Sequence, residues 1–238
     1  MVNRTIVVSS VAVAFLGSAA LLAQAQQGGP PLPTCESCGV SFFIADNPTG
    51  SGNLGGLAGA DQICQNAAQA LGGQNAARTW RAYLSQEQKG AMPRINARDR
   101  IGNGPWYNVK SQLIASSLAD LHGDQQRDRN NVQRNTALDL KGNPIPGNQH
   151  DILTGSDSDG RAYTDGYDHT CNNWTSDAMS YPQGNPNVPA DRARAMLGHS
   201  DRGGQNTSWI SSHLSQGCSK QALINTGGAG HLYCFATN

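Results

Sequence analysis

Two kinds of apolar spacing organise most of the chain. Over 57–71, Ala60, Ile63, Cys64, Ala67, Ala68 and Leu71 recur at steps of three and four, which puts them on one face of a helix. Gly72 and Gly73 follow and end it. In "RTWRAYLS" at 78–85, Trp80, Ala82 and Leu84 alternate with Arg81 and Tyr83, the period of a half-buried strand. "VSFFIA" at 40–45 and "AGHLYCFAT" near the C-terminus are continuous apolar runs and read as strands, the second of them buried. Val109, Leu113, Ile114, Ser117, Leu118 and Leu121 form a second amphipathic stretch and predict a helix near 108–120. Residues 123–149 are rich in Asn, Gln and Arg and read as a surface excursion. From 150 onward, short strands alternate with Gly-rich loops.

The N-terminus has a pattern of its own. Arg4 precedes a mostly apolar run from Ile6 to Leu22, and Ala23-Gln24-Ala25 supplies a small-x-small site. This predicts a secretory leader, residues 1–25, and hence a secreted or periplasmic protein with no stable membrane insertion after cleavage. "QQGGPPLPT" then begins a linker, 26–39, that carries the Cys-x-x-Cys pair Cys35 and Cys38. The domain itself is expected over 40–238.

Export changes the reading of the six cysteines, Cys35, Cys38, Cys64, Cys171, Cys218 and Cys234. An even count in an oxidising compartment predicts disulfides, with too many pairings for spacing to choose among. Cys35 and Cys38 suit a local bridge better than half a zinc site. The 17 basic and 17 acidic side chains leave no net charge, which argues against broad capture of nucleic acid. No Gly-x-Ser-x-Gly elbow or phosphate-binding glycine loop is present, so no enzyme activity is expected. His199 and His213 stand in stretches without metal-ligand spacing, and Asp157 and Asp159 read as a tight turn rather than a calcium loop. No metal or cofactor is expected.

Seven stretches now stand in a telling order: "GADQICQNAAQALGG", "RTWRAYLS", "ARDRIGN", "LTGSDSDGRAYTD", "TCNNWTS", "GCSKQAL" and "LYCFA". This succession resembles endostatin, the C-terminal domain of certain basement-membrane collagens, over roughly residues 55–236. The resemblance implies an α+β fold of the endostatin-like, C-type-lectin-like type: a mixed, twisted sheet, two main helices, long loops and nested disulfides. It implies the pairs Cys64–Cys234 and Cys171–Cys218, with Trp174 packed near the second. Secreted bacterial proteins of this type are labelled lectins. Endostatin's heparin affinity depends on an arginine cluster, and Arg81, Arg98 and Arg100 fall in matching stretches, so these three are the candidate binding residues. An Arg–Asp network that holds the fold is their competing role. Endostatin's zinc site uses histidines near its N-terminus. This chain has none before His122, so that site does not carry over. The acidic ligands of a C-type-lectin calcium site are also missing, "NPN" at 185–187 lying on the wrong side of Cys171. The resulting expectation is a non-catalytic protein that recognises an extracellular glycan or polyanion. The alternatives are an envelope or matrix protein–protein interaction module and a metal-dependent hydrolase.

Overall fold

The computed structural model describes residues 31–124, 128–179 and 193–238. The leader 1–25, the start of the linker and 185–187 lie outside the described residues. In chain order the elements are β1 (Phe42–Ala45), α1 (Gly56–Ala68), α2 (Gly73–Ala77), β2 (Trp80–Ala82), β3 (Trp106–Tyr107), β4 (Leu113–Ala115), α3 (Leu118–His122), β5 (Asp151–Leu153), α4 (Cys171–Trp174), β6 (Met196–His199), β7 (His213–Leu214), α5 (Lys220–Thr226) and β8 (Gly228–Ala236). The fold class is α+β.

β8 is the strand the others gather on. β1 pairs antiparallel along one edge. On the other edge β5 pairs parallel with its first half and β2 antiparallel with its last residues. β6 and then β7 extend the sheet beyond β5. Both faces of the sheet are buried at β1 and along most of β8, so these strands read as apolar runs. Phe43, Ala45, Ala82, Leu153, Leu232 and Cys234 face the layer built on α1. Their neighbours Phe42, Ile44, Tyr83, Ile152, Tyr233 and Phe235 face a second layer with Trp106, Ile114, Leu121 and Trp209. The helical stripe buries Ala60, Cys64 and Ala68, and one turn of 3₁₀ helix, Gln69–Leu71, continues it. All four tryptophans are buried, each worth about 2–3 kcal/mol as an upper estimate of the transfer term.

Cys64–Cys234 and Cys171–Cys218 are bonded, with Cα atoms 5.5 and 5.7 Å apart. This is the pairing the resemblance implies. The first ties α1 to β8 within the α1-side core. Cys35–Cys38 is bridged as well.

Three expectations need correction. No helix spans 108–120: β3 and β4 form a two-stranded antiparallel ladder there, and only Leu118–His122 is helical. Asn108 explains the change. Its carboxamide oxygen accepts from the N–H groups of Lys110 and Gln112, so the side chain closes a turn instead of letting a helix propagate. The excursion 123–149 is partly interior: Val132, Ala137, Leu138 and Ile145 are buried, and Leu138 accepts a hydrogen bond from the Ile44 N–H. The linker is not free after Pro33. Pro33 and Cys35 bond to Leu113 and Ser111, and Arg78 donates to the Cys38 carbonyl.

Candidate functional site

The segment "TCNNWTS" adopts a conformation that composition does not suggest. Cys171, Asn172, Asn173 and Trp174 all have φ between 51 and 65°, one left-handed turn of four non-glycine residues. L-residues disfavour this by roughly 1–2 kcal/mol each, asparagine least. Neighbouring groups hold it. Cys171 is bonded to Cys218. The Trp174 indole N–H donates to the Ser85 carbonyl at 2.7 Å, with Gly155, itself at φ 58°, close beneath the ring. Asp168 accepts from the N–H groups of Thr170 and Asn172 at 2.8 and 2.7 Å. The Asn173 amide exchanges two hydrogen bonds with the backbone of Glu87. Strain so heavily over-determined marks positions of functional interest.

This turn is one wall of a cleft of about 590 Å³, also lined by Glu87, Lys89, Arg94, Tyr163, Tyr167 and Asp168. The facing wall is the hairpin 86–95, whose bridges pair Gln86 with Ile95 and Lys89 with Met92. Glu87 accepts from both the backbone and Nδ1 of His169 at 3.0 Å, stitching the walls together. Burial disfavours charge on His169, but Glu87 and Asp165 outweigh it and hold its pKa above the ordinary value. Tyr163 stacks on His169 with ring centroids 3.9 Å apart. Lys89 donates to the Asn172 side chain. Tyr167 is 52% exposed at the rim.

The three candidate arginines do not assemble into a basic surface. Arg100, its side chain 8% exposed, donates to both oxygens of Asp61 at 2.7 Å and to the Ala82 carbonyl. Arg98 is buried and pairs with Asp124 at 2.6 Å. Arg81 also bonds Asp61, at 2.7 Å, and keeps 43% side-chain exposure. Asp157 and Asp159 form the turn expected of them, Asp157 accepting from the N–H groups of Asp159 and Arg161. Of the two Asn-x-Ser/Thr glycosylation sequons, Asn173-Trp-Thr and Asn206-Thr-Ser, the first has its asparagine buried with the amide already donating, and the second has Asn206 exposed.

Beside Arg98, the buried His122 bonds the Tyr83 hydroxyl at 2.6 Å and the Leu118 carbonyl at 3.0 Å. A carbonyl only accepts, so Nδ1 carries the proton and Nε2 accepts from tyrosine. Burial lowers the His122 pKa to about 4. The unfolded chain, near the usual value of about 6.5, then takes up a proton first as pH falls. Stability contributed by neutral His122 is intact above that value and declines through the window down to about 4. Wild type is expected to lose about 2 kcal/mol more than His122→Gln between roughly pH 7.5 and pH 5 in urea unfolding. Equal losses would contradict the neutral assignment.

A second cluster forms where β5, β6 and β7 lie side by side. His199 and His213, in stretches without metal-ligand spacing in sequence, are brought by the sheet to His150 and Asp151, with His199 and His213 Nε2 atoms 2.9 Å apart. Donor atoms of His150, Asp151 and His199 all lie within 4.8 Å of one another. Strand pairing at long sequence separation creates this set, and no local spacing announces it. The cleft was missed for a related reason. Its signal was the pair Asn172-Asn173, residues that tolerate left-handed backbone, set between a bonded cysteine and a tryptophan.

Comparison with curated proteins finds no match. The family model described as "Collagenase NC10 and Endostatin" matches residues 42–187, more than half of the chain, and takes in α1, β2, the Arg–Asp pairs, β5 and the left-handed turn. The chain belongs to the endostatin family.

Proposed function

We propose that the protein is an exported, non-catalytic binding module of C-type-lectin-like architecture, freed of a leader at 1–25, that recognises an extracellular glycan in the cleft between the 86–95 hairpin and the left-handed turn. The observation that carries this reading is the disulfide-locked turn beside an exposed tyrosine. A sugar offers an apolar C–H face and a rim of hydroxyls. Tyr167 supplies a ring for the face, and Asn172, Asp168, Lys89 and Arg94 supply amide, carboxylate and cationic partners for the rim. Family membership and three disulfides support an extracellular binding role. Among the described residues, no helix is long and apolar enough to cross a membrane.

The electrostatics favour a glycan over a polyanion. Arg98 and Arg100 are turned inward, and the cleft mixes Lys89 and Arg94 with Glu87 and Asp168. Both carboxylates already accept hydrogen bonds from the scaffold, which fits positioning better than acid–base chemistry. On a glycan array, binding to neutral or weakly acidic oligosaccharides should persist from low to moderate salt. Tyr167→Ala should weaken it at least about tenfold, near 1.4 kcal/mol. Signal confined to sulfated polymers and lost with salt would identify a polyanion instead. Unchanged affinity in the variant would remove the cleft from the account.

A further inference from the structure

We propose that Asp151, His150, His199 and His213 form a binding site for one divalent first-row metal ion, with zinc the best match. The Asp151 side chain is fully buried, and neither carboxylate oxygen receives a hydrogen bond. Leaving such a group unpaired is costly, so its surroundings should supply a cation. Its Oδ1 lies 3.4, 3.3 and 3.6 Å from the Nε2 atoms of His150, His199 and His213. Bonds of about 2.0–2.1 Å at tetrahedral angles hold ligand atoms roughly 3.3–3.4 Å apart. The distances from Asp151 are those of ligands gathered about a common ion. His150, Asp151 and His199 have donor atoms all within 4.8 Å of one another, and His213 joins them through Asp151 and His199, whose Nε2 would move a few tenths of an ångström from that of His213 to share the ion.

The outer contacts fix the imidazoles in the form a metal needs. His150 Nδ1 donates to Asp201 at 2.8 Å, His199 Nδ1 to the Gly203 carbonyl at 2.7 Å, and His213 Nδ1 to the Leu214 carbonyl at 3.3 Å. Each ring thus directs its Nδ1 proton outward and its Nε2 toward Asp151, the nitrogen a metal would take once any proton there is released. The Nε2 atoms of His199 and His213, 2.9 Å apart, must share a proton or a metal ion. Carboxylate and carbonyl partners on the far nitrogen are how metal-bound histidines are oriented. Asp201 is itself held by the Gly203 N–H at 2.7 Å. Three nitrogens and one oxygen suit zinc better than calcium or magnesium. The β5–β8 register shifts between Asp151 and Ile152, a bulge of the kind that re-aims a side chain beside a site. His213, 38% exposed at its side chain, is the side open to solvent. A bound ion would pin the short edge strand β7 to β5 and β6.

The test uses the untagged, disulfide-bonded chain, freed of metal with a chelator that is then removed, and titrated with Zn²⁺ by calorimetry and with Co²⁺ by visible absorption. One equivalent should bind, and cobalt should give the intense bands of four- or five-coordination. Zinc at about one hundred times its Kd should raise Tm by roughly 5–10 °C. His150→Gln combined with His213→Gln, both at partly exposed positions, should weaken binding at least about a hundredfold. Asp201→Asn, which touches no metal, should weaken it about 10–100-fold, and it carries the test if the double variant folds poorly. Binding of less than about one fifth of an equivalent would overturn the site, leaving a proton shared by the histidines as the cation. Weak six-coordinate cobalt bands, or affinities unchanged in the variants, would overturn it equally.

Discussion

Replacing Cys64 and Cys234 together with alanine is expected to lower the unfolding free energy by about 5 kcal/mol. The bond closes a loop of 170 residues, and chain-entropy arithmetic gives roughly 5 kcal/mol for a loop of that size. The same arithmetic gives about 4 kcal/mol for Cys171–Cys218, which closes 47 residues. Both bonds lie in the α1-side core, so the first replacement also loosens the contact between α1 and β8. Of the two, Cys64–Cys234 should therefore matter more for global stability. Cys171–Cys218 should matter more for the cleft, because Cys171 begins the left-handed turn. Urea unfolding of each alanine pair under non-reducing conditions measures the difference. A loss below about 2 kcal/mol for the longer loop would mean that packing alone holds the first helix to the last strand.

Asp61→Ala is expected to cost about 4 kcal/mol, while Arg81→Ala should cost under about 1 kcal/mol. Asp61 accepts from Arg81, from Arg100 through both oxygens, and from the Ala82 N–H. Removing it leaves the Arg100 guanidinium, 8% exposed at its side chain, as a buried charge without a counter-ion, the case in which loss of one partner costs about 3–5 kcal/mol. Arg81 is 43% exposed, so water replaces its partner and screening reduces its contribution. Thermal unfolding of the two single variants and the double variant reads the contrast. Equal small losses would show that the network is not a structural element, and would return these arginines to the list of ligand-binding groups.

Much of the scaffold was legible in the residues. The three- and four-residue steps over 57–71 marked α1 and placed Cys64 inward. "LYCFA" read as a buried strand because its two faces meet two cores, leaving no polar alternation. The ordered stretches from Gly59 to Ala236 pointed to the family and to the nested disulfides. Other features lay beyond periodicity. Asn108 turned an apparently amphipathic helix into a turn and a two-stranded ladder, because a side-chain acceptor competed with the helix for backbone N–H groups. Buried positions in 123–149 were hidden by the polar residues around them. The cleft depends on four residues of left-handed backbone, which local preference opposes and which a disulfide, an indole and Asp168 jointly impose. The histidine cluster depends on register: Asp151 pairs with His199 across β5 and β6, and Leu197 with His213 across β6 and β7. Composition located neither set.

The most direct measurement is an amide NMR titration of the ¹⁵N-labelled protein with the oligosaccharide that binds best on the array. The largest shifts should fall on Lys89–Arg94 and Thr164–Asn173, and in Tyr167→Ala they should need at least about tenfold more ligand while its remaining spectrum stays that of the folded protein. Shifts confined to another face, such as the surroundings of Arg81, would contradict a saccharide site built on the left-handed turn.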